Sequence, residues 1–485
     1  MMKRVPIIIL LIFAVNEMLM ANEDYFKAYS EFQKNAKAQY EDFRKSAIDT
    51  YADFLKSAWA WYNSAPKITL PKEKIVPPVI YENVDEEIAP KPVPYEDVLQ
   101  VPEPMPEPLP VIDINEDSTH LYNNVNVVLY GTEIRVRCPK DLVMDLTRPN
   151  GEKLSQSWLM LHNNGIEQTV YDCLNAKKMY GLCDWAYLQL CECVGKMLYG
   201  ETNEAVLVSA YIYAVSGYQM RLAMSGSGRL YMLVGSDYKI IDTGWYEIEG
   251  YSFYPRLCSE DSLIVCSASF EDEHPLSLVI DREQKFKNDE SVPRKLTSSI
   301  GVEVSSTVNK NLINFFNEYP TAIYGDDFGT RWALYANTPM SDDTKRVIDS
   351  SLIKAIKGKD LQTSLNVILN FVQTAFEYEY DDKVWGDDRA FFSEETVYYP
   401  YADCEDRSIL FARLVRDILG LDVVLVYYPG HLATAVCVPE YIRGDYLLFE
   451  RKRYIVCDPT YIGAPIGVTM PEMNNETAKI IKLNK

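Results

Sequence analysis

The chain has 485 residues, of which 47% are hydrophobic and 12% aromatic, with a formal net charge of −22 and a pI near 4.7. That length exceeds one ordinary core and predicts about three structural units, with enough apolar material to fill them. The acidic field repels phosphate backbones and anionic lipid surfaces, which excludes nucleic acid as an expected partner.

At the N-terminus Lys3 and Arg4 precede the apolar run Val5–Val15, and Met20 and Ala21 offer a small-residue cleavage point before Asn22. This is a signal-peptide layout over residues 1–21, too short and weakly flanked for a stable anchor. It predicts export, to the periplasm, the cell surface or the medium, and no later stretch is expected to span a membrane. Tyr29, Phe32 and Ala36 then recur as Tyr40, Phe43 and Ala47, and again as Tyr51, Phe54 and Ala58, at a period of eleven residues. Eleven residues make three helical turns, so the repeat predicts one long helix over 22–65 with its rings on a shared stripe. Such a stripe either docks on the chain's own domains or mediates self-association.

Between Pro66 and Pro110 lie 12 of the 26 prolines. Proline at every second position from Pro102 to Pro110 enforces extended backbone and forbids regular pairing. A Pro-rich spacer, free or strapped along a surface, is expected over 66–117.

Globular sequence follows. Over 118–255 an α+β module is expected, with strands at Asn126–Leu129 and Thr132–Cys138. Helical patterning runs from Gln156 to Leu198 with a break near Gly181, and an apolar segment covers Glu204–Val215. Strand-like runs follow at Gln219–Ala223, Leu230–Val234 and Tyr238–Asp242. A β-rich region is expected over 256–340, with strands at Ser262–Phe270, Leu276–Asp281 and Ile300–Thr307 and a helix at Lys310–Glu318. The last unit, 341–485, opens with helices at Asp342–Ile356 and Leu361–Phe376.

The ten cysteines do not read as a disulfide framework, because Cys191 and Cys193 sit two apart in a helical stretch and face different sides. Most read as buried small hydrophobes. No cysteine or histidine cluster has zinc spacing, and with four histidines no metal or other cofactor is expected.

One constellation carries chemistry. Tyr398, Tyr399, Pro400, Tyr401, Ala402 and Asp403 lead into Cys404, and the apolar positions Ile409, Leu410, Leu414, Val415 and Ile418 follow at helical spacing up to Gly420. Cys404 therefore sits at a helix N-terminus, where unpaired N–H groups favour a thiolate. After the strand Asp422–Tyr428 and the Pro429-Gly430 turn, His431 opens a second strand. The strand Tyr454–Cys457 delivers Asp458, an acid able to hold the second imidazole nitrogen. A helix-borne cysteine, then a histidine on one strand and an aspartate at the end of another, resembles the transglutaminase-like superfamily. The approach from Phe392 to Ser408 looks like its bacterial cysteine-peptidase branch. The resemblance implies a papain-like fold and the triad Cys404, His431 and Asp458, with the N–H of Cys404, and Tyr401 as a candidate, forming the oxyanion hole.

The middle of the chain carries a fainter version of the same layout. Cys183 opens a helical stretch, Arg229 stands where His431 would, and Asp242 ends a strand-like run. Arginine cannot act as a general base, so this copy is expected to be degenerate. The expected function is an exported thiol enzyme acting on a protein or peptide substrate at peptide or amide bonds. The alternative is a non-catalytic envelope or surface binding protein that keeps the fold.

Overall fold

A computed structural model describes residues 46–484, except 73–75, 83–92, 96–97, 113, 117–119, 257–259 and 440–441. The expected signal peptide, the first copy of the eleven-residue repeat and the second up to residue 45 lie outside the described residues. The chain is mixed α+β, and among the described residues no helix is long and apolar enough to cross a membrane.

The described part of the repeat forms a helix over 46–57, and that helix ends sooner than expected. The Trp59 indole donates to Leu55 O at 2.7 Å, and Trp59–Asn63 then runs as an edge strand antiparallel to Ser262–Cys266. Its aromatic side chains suit a half-buried strand better than a helical stripe. Nor do the rings share one environment. Tyr51 is 1% exposed and stacks at 4.5 Å on both Trp158 and Phe270, whereas Phe54 is 48% exposed.

The middle module holds helices at Gly151–Asn163, Glu167–Tyr180, Asp184–Tyr199 and Asn203–Val215, so the expected break at Gly181 is one of three. Gly181 ends its helix at φ +65° and Gly200 the next at φ +69°, a conformation that favours glycine. A six-stranded sheet lies beside them, built from Trp59–Asn63, Ser262–Cys266, Met220–Met224, Leu230–Gly235, Tyr251–Pro255 and Tyr246–Ile248 in that spatial order. The region 256–340 is less β-rich than expected. Leu276–Asp281 forms no strand, and the helices Lys310–Asn317 and Thr330–Asn337 accompany the hairpin Arg294–Thr297 with Glu303–Ser306.

The Pro-rich segment is a strap. Its Val79–Ile80 pairs in parallel with Tyr461–Ile462. Further on, Val93–Tyr95 pairs in parallel with Leu447–Phe449, and Val98–Gln100 with Ile480–Lys482. These last two short strands form the opposite outer edges of one seven-stranded sheet, whose inner strands are Tyr446–Phe449, Lys452–Cys457, His431–Cys437, Val423–Tyr428 and Lys479–Lys482. Tyr95 and Val98 are three residues apart, a span of at most about 11 Å of chain. The sheet is therefore rolled until its two edges meet. Lys482 reaches Glu450 at 2.7 Å across that closure. Alternation along the strands sends Val424, Val426, Ala433, Ala435, Leu447 and Val456 into the barrel-like interior. Leu425, Leu432, Val436 and Ile455 face the helices outside. The alternating prolines from 102 to 110 enter no strand, as expected.

Candidate functional site

The helix Cys404–Leu419 begins where the chain leaves Asp403 and stops at Gly420, which takes φ +65°. Its first turn packs on the start of the strand His431–Cys437, and Ser408 Oγ donates to Leu432 O at 2.8 Å. The Leu432 N–H is directed at Cys404 Sγ, where it favours the ionised sulfur. The cysteine and the histidine strand are thus brought together at one point, with Cys404 half-buried and His431 2% exposed.

Asp458 completes the group. Its Oδ2 lies 2.9 Å from His431 Nε2, and its Oδ1 accepts from Thr460 N at 2.9 Å, Thr460 Oγ1 at 2.7 Å and Tyr461 N at 3.2 Å. Burial favours the neutral acid, yet His431 and the Thr460 donors outweigh it and hold the Asp458 carboxyl below its ordinary value. An ionised Asp458 can only accept, so Nε2 carries the proton and Nδ1 is the basic nitrogen. The loop behind is fixed by buried Gln373, whose Nε2 donates to Asp458 O at 3.0 Å, Tyr461 O at 2.8 Å and Ala464 O at 3.1 Å.

The thiol itself is directed elsewhere. Cys404 Sγ donates to Glu405 Oε2 at 3.3 Å and makes no hydrogen bond to His431. Burial first, then the Glu405 and Asp403 carboxylates, push its pKa well above the ordinary thiol range. The helix N-terminus alone does not overcome this.

Two carboxyl groups, Asp403 and Glu405, lie beside the nucleophile, and three more, Asp381, Asp388 and Asp406, adjoin those two. Ligand atoms of Asp403, Cys404 and Glu405 lie within 4.8 Å of one another, as do those of Asp381, Asp403 and Asp406, and those of Asp381, Asp388 and Glu405. Asp406 is held by the Phe391 N–H at 2.8 Å and the Asp403 N–H at 3.2 Å, and Asp388 pairs with buried Arg331 at 3.0 Å. Asp403 Oδ1 is buried without a hydrogen-bond partner. Burial, then mutual repulsion, raises the pKa of Asp403 and of Glu405. A set of hard oxygen donors at this spacing is what a divalent cation such as calcium or magnesium takes, so these are the residues that could hold a metal. The paired acids Asp381-Asp382 and Asp387-Asp388 are visible in the sequence, but nothing in their spacing ties them to Cys404.

Tyr401 is 37% exposed and bridges through its backbone to Glu377, three residues before the nucleophile. The middle module does not assemble its expected second site. Cys183 is buried and its N–H donates to Gln284 Oε1 at 2.8 Å. Arg229 sits at the hairpin end, 5.5 Å from the Tyr231 ring, in a cleft with Asn203 and Glu204. Asp242 is an exposed turn residue at φ +56° in a different cleft with Tyr246 and Tyr254. The reason is topological: the helix Asn203–Val215 packs against the Cys183 helix and against the strand Leu230–Gly235. The nine described cysteines are all free thiols.

Compared with protein-family models, with curated proteins and with solved structures, the chain shows no match.

Proposed function

We propose that the chain is an exported thiol enzyme that opens peptide or amide bonds through Cys404, His431 and Asp458. The observation that carries this reading is the buried pair of His431 Nε2 and Asp458 Oδ2 at 2.9 Å, set on the strand against which the Cys404 helix begins. A histidine held this way keeps a basic Nδ1 for the thiol proton. Cys404 would attack the carbonyl carbon, the amine would leave with that proton, and water would release the acyl group. Water is the default acceptor. Transfer to an amine needs only a different nucleophile on the same acyl-enzyme.

A second reading, a non-catalytic binding protein in an enzyme-like fold, is favoured by one observation: the thiol lies against Glu405 and its ionisation is suppressed. Labelling with an electrophilic thiol probe separates the two. The enzyme reading requires Cys404 to label faster than the other cysteines and requires peptide-amide cleavage that is lost in Cys404→Ala. An intact protein whose Cys404 is inert, and which cleaves nothing that Cys404→Ala does not, is the binding protein.

A further inference from the structure

The segment that delivers Cys404 is gripped from two sides. From within the site, Arg407 Nε donates to Ala402 O at 3.2 Å, while its Nη1 and Nη2 hold Gln373 O at 3.0 Å and Phe376 O at 2.8 Å. The grip on the other side comes from Arg294, more than a hundred residues upstream at the start of the hairpin Arg294–Thr297. Its Nη1 donates to Val397 O at 3.0 Å and to Tyr399 O, and its Nη2 to Pro400 O at 2.9 Å.

These acceptors are not incidental. Val397 lies in the last turn of the short helix Ser393–Tyr398, whose terminal carbonyls have no partners within the helix. Pro400 provides no N–H, and the chain turns there into Tyr401, Ala402 and Asp403. A planar guanidinium presents its donors in a fixed fork, which lets one side chain tie carbonyls from a helix end and the following turn at once. The hairpin that carries it is itself anchored beside the site, with Ser299 N donating to Thr374 Oγ1 at 2.9 Å.

We propose that Arg294 is a positioning residue for Cys404: by tying the carbonyls of Val397, Tyr399 and Pro400 it fixes where the Cys404 helix begins, and with it the Cys404 N–H that receives the acyl oxygen. This rests on the thiol-enzyme reading. Arg294 touches no reacting atom and acts through the backbone. The functional unit therefore extends beyond 341–485, to a residue of the connecting region.

Two reactions of the same sulfur test this. Alkylation by iodoacetamide forms a C–S bond as iodide leaves and needs no oxyanion site. Acylation by p-nitrophenyl acetate proceeds through a tetrahedral oxyanion: the thiol proton passes to His431, the C–O bond breaks as p-nitrophenolate leaves, and water then cleaves the thioester to acetate. In Arg294→Met, acylation should slow by about tenfold or more, since a misplaced oxyanion donor is costly, while alkylation stays within about twofold. Arg294→Lys, which keeps the charge but not the rigid planar fork, should behave the same way and decides the matter if the Met variant fails to fold. A purely structural role would lower the melting temperature and leave the ratio of the two rates at its wild-type value, and that result overturns the proposal. Wild-type protein acylated no faster than Cys404→Ala would instead overturn the thiol-enzyme reading.

Discussion

Cys404 Sγ donates a hydrogen bond to Glu405 Oε2 at 3.3 Å, so the residue following the nucleophile competes with His431 for its proton. A neutral thiol can donate, weakly, to a carboxylate, whereas a thiolate beside the same group is repelled. The helix dipole and the Leu432 N–H favour the ionised sulfur, and the acids oppose them. The chemistry of this site depends on which side prevails.

Removing the acid should therefore activate the thiol. Glu405→Gln keeps the shape and removes the charge, and the pKa of Cys404 should fall. Each unit of that fall raises the thiolate fraction about tenfold while the thiol remains mostly protonated. The pH profile of iodoacetamide labelling measures it. A midpoint unmoved from wild type would mean that Glu405 does not control ionisation.

His431 should act in the opposite sense. In His431→Ala the sulfur loses its base, and labelling of Cys404 near neutral pH should slow by about tenfold. Buried Cys183, whose pKa burial pushes up to about 12, should label far more slowly than Cys404 in the wild type. Mass spectrometry of the labelled peptides reads both sites at once. Equal Cys404 rates in wild type and His431→Ala, on folded protein, would show that the two residues form no functional pair.

A divalent cation should reproduce the effect of Glu405→Gln without mutation. Seated among Asp381, Asp403 and Asp406, it would offset the Asp403 charge that helps to suppress the thiolate and give Asp403 Oδ1 a partner. Calcium or magnesium should accelerate Cys404 labelling and raise the melting temperature by mass action. Both responses should be weakened in Asp406→Asn. No response of either kind in the wild type removes the cluster as a cation holder.

Stability should fall as pH rises through neutrality. Burial pushes Glu394 and Glu395 from 4.5 up to about 7, and partial compensation by Ser341 and Arg389 does not reverse it. A folded-state pKa above the unfolded value means that the folded chain binds more protons. The associated stability is present in full below about pH 4 and is lost as the pH rises through about 7. Each group can contribute roughly 3 kcal/mol at most. Melting temperatures at pH 5 and pH 8 check this, with Glu394→Gln expected to flatten the dependence. A protein more stable at pH 8 would contradict it.

Periodicity and punctuation made much of the architecture legible in the sequence. The helix from Cys404 to the Gly420 stop, the hairpin around Pro429 and Gly430, and the strand ending at Asp458 follow from local apolar spacing and turn chemistry, and they stand in the structure with nearly the expected bounds. Local pattern misled where partners at long range took over. Trp59–Asn63 continued a helical repeat on paper, but Ser262–Cys266 was available to pair with it. Cys183, Arg229 and Asp242 had plausible order, yet an intervening helix separates them.

Local sequence was enough to mark the groups that could do chemistry: a cysteine at a helix start, a histidine at a strand start and an acid at a strand end, each set by residues a few positions away. Their surroundings came from the packing of elements far apart in the chain. It paired the strand of His431 with the strand that ends at Asp458, closed the edges of the sheet with the short strands 93–95 and 98–100, and carried Asp381 and Asp388 to the acids that flank the nucleophile. It also brought Arg294 to the backbone that delivers Cys404. Periodicity records which face of an element is buried, whereas the approach of charges distant in sequence depends on how the elements pack, which no local spacing encodes.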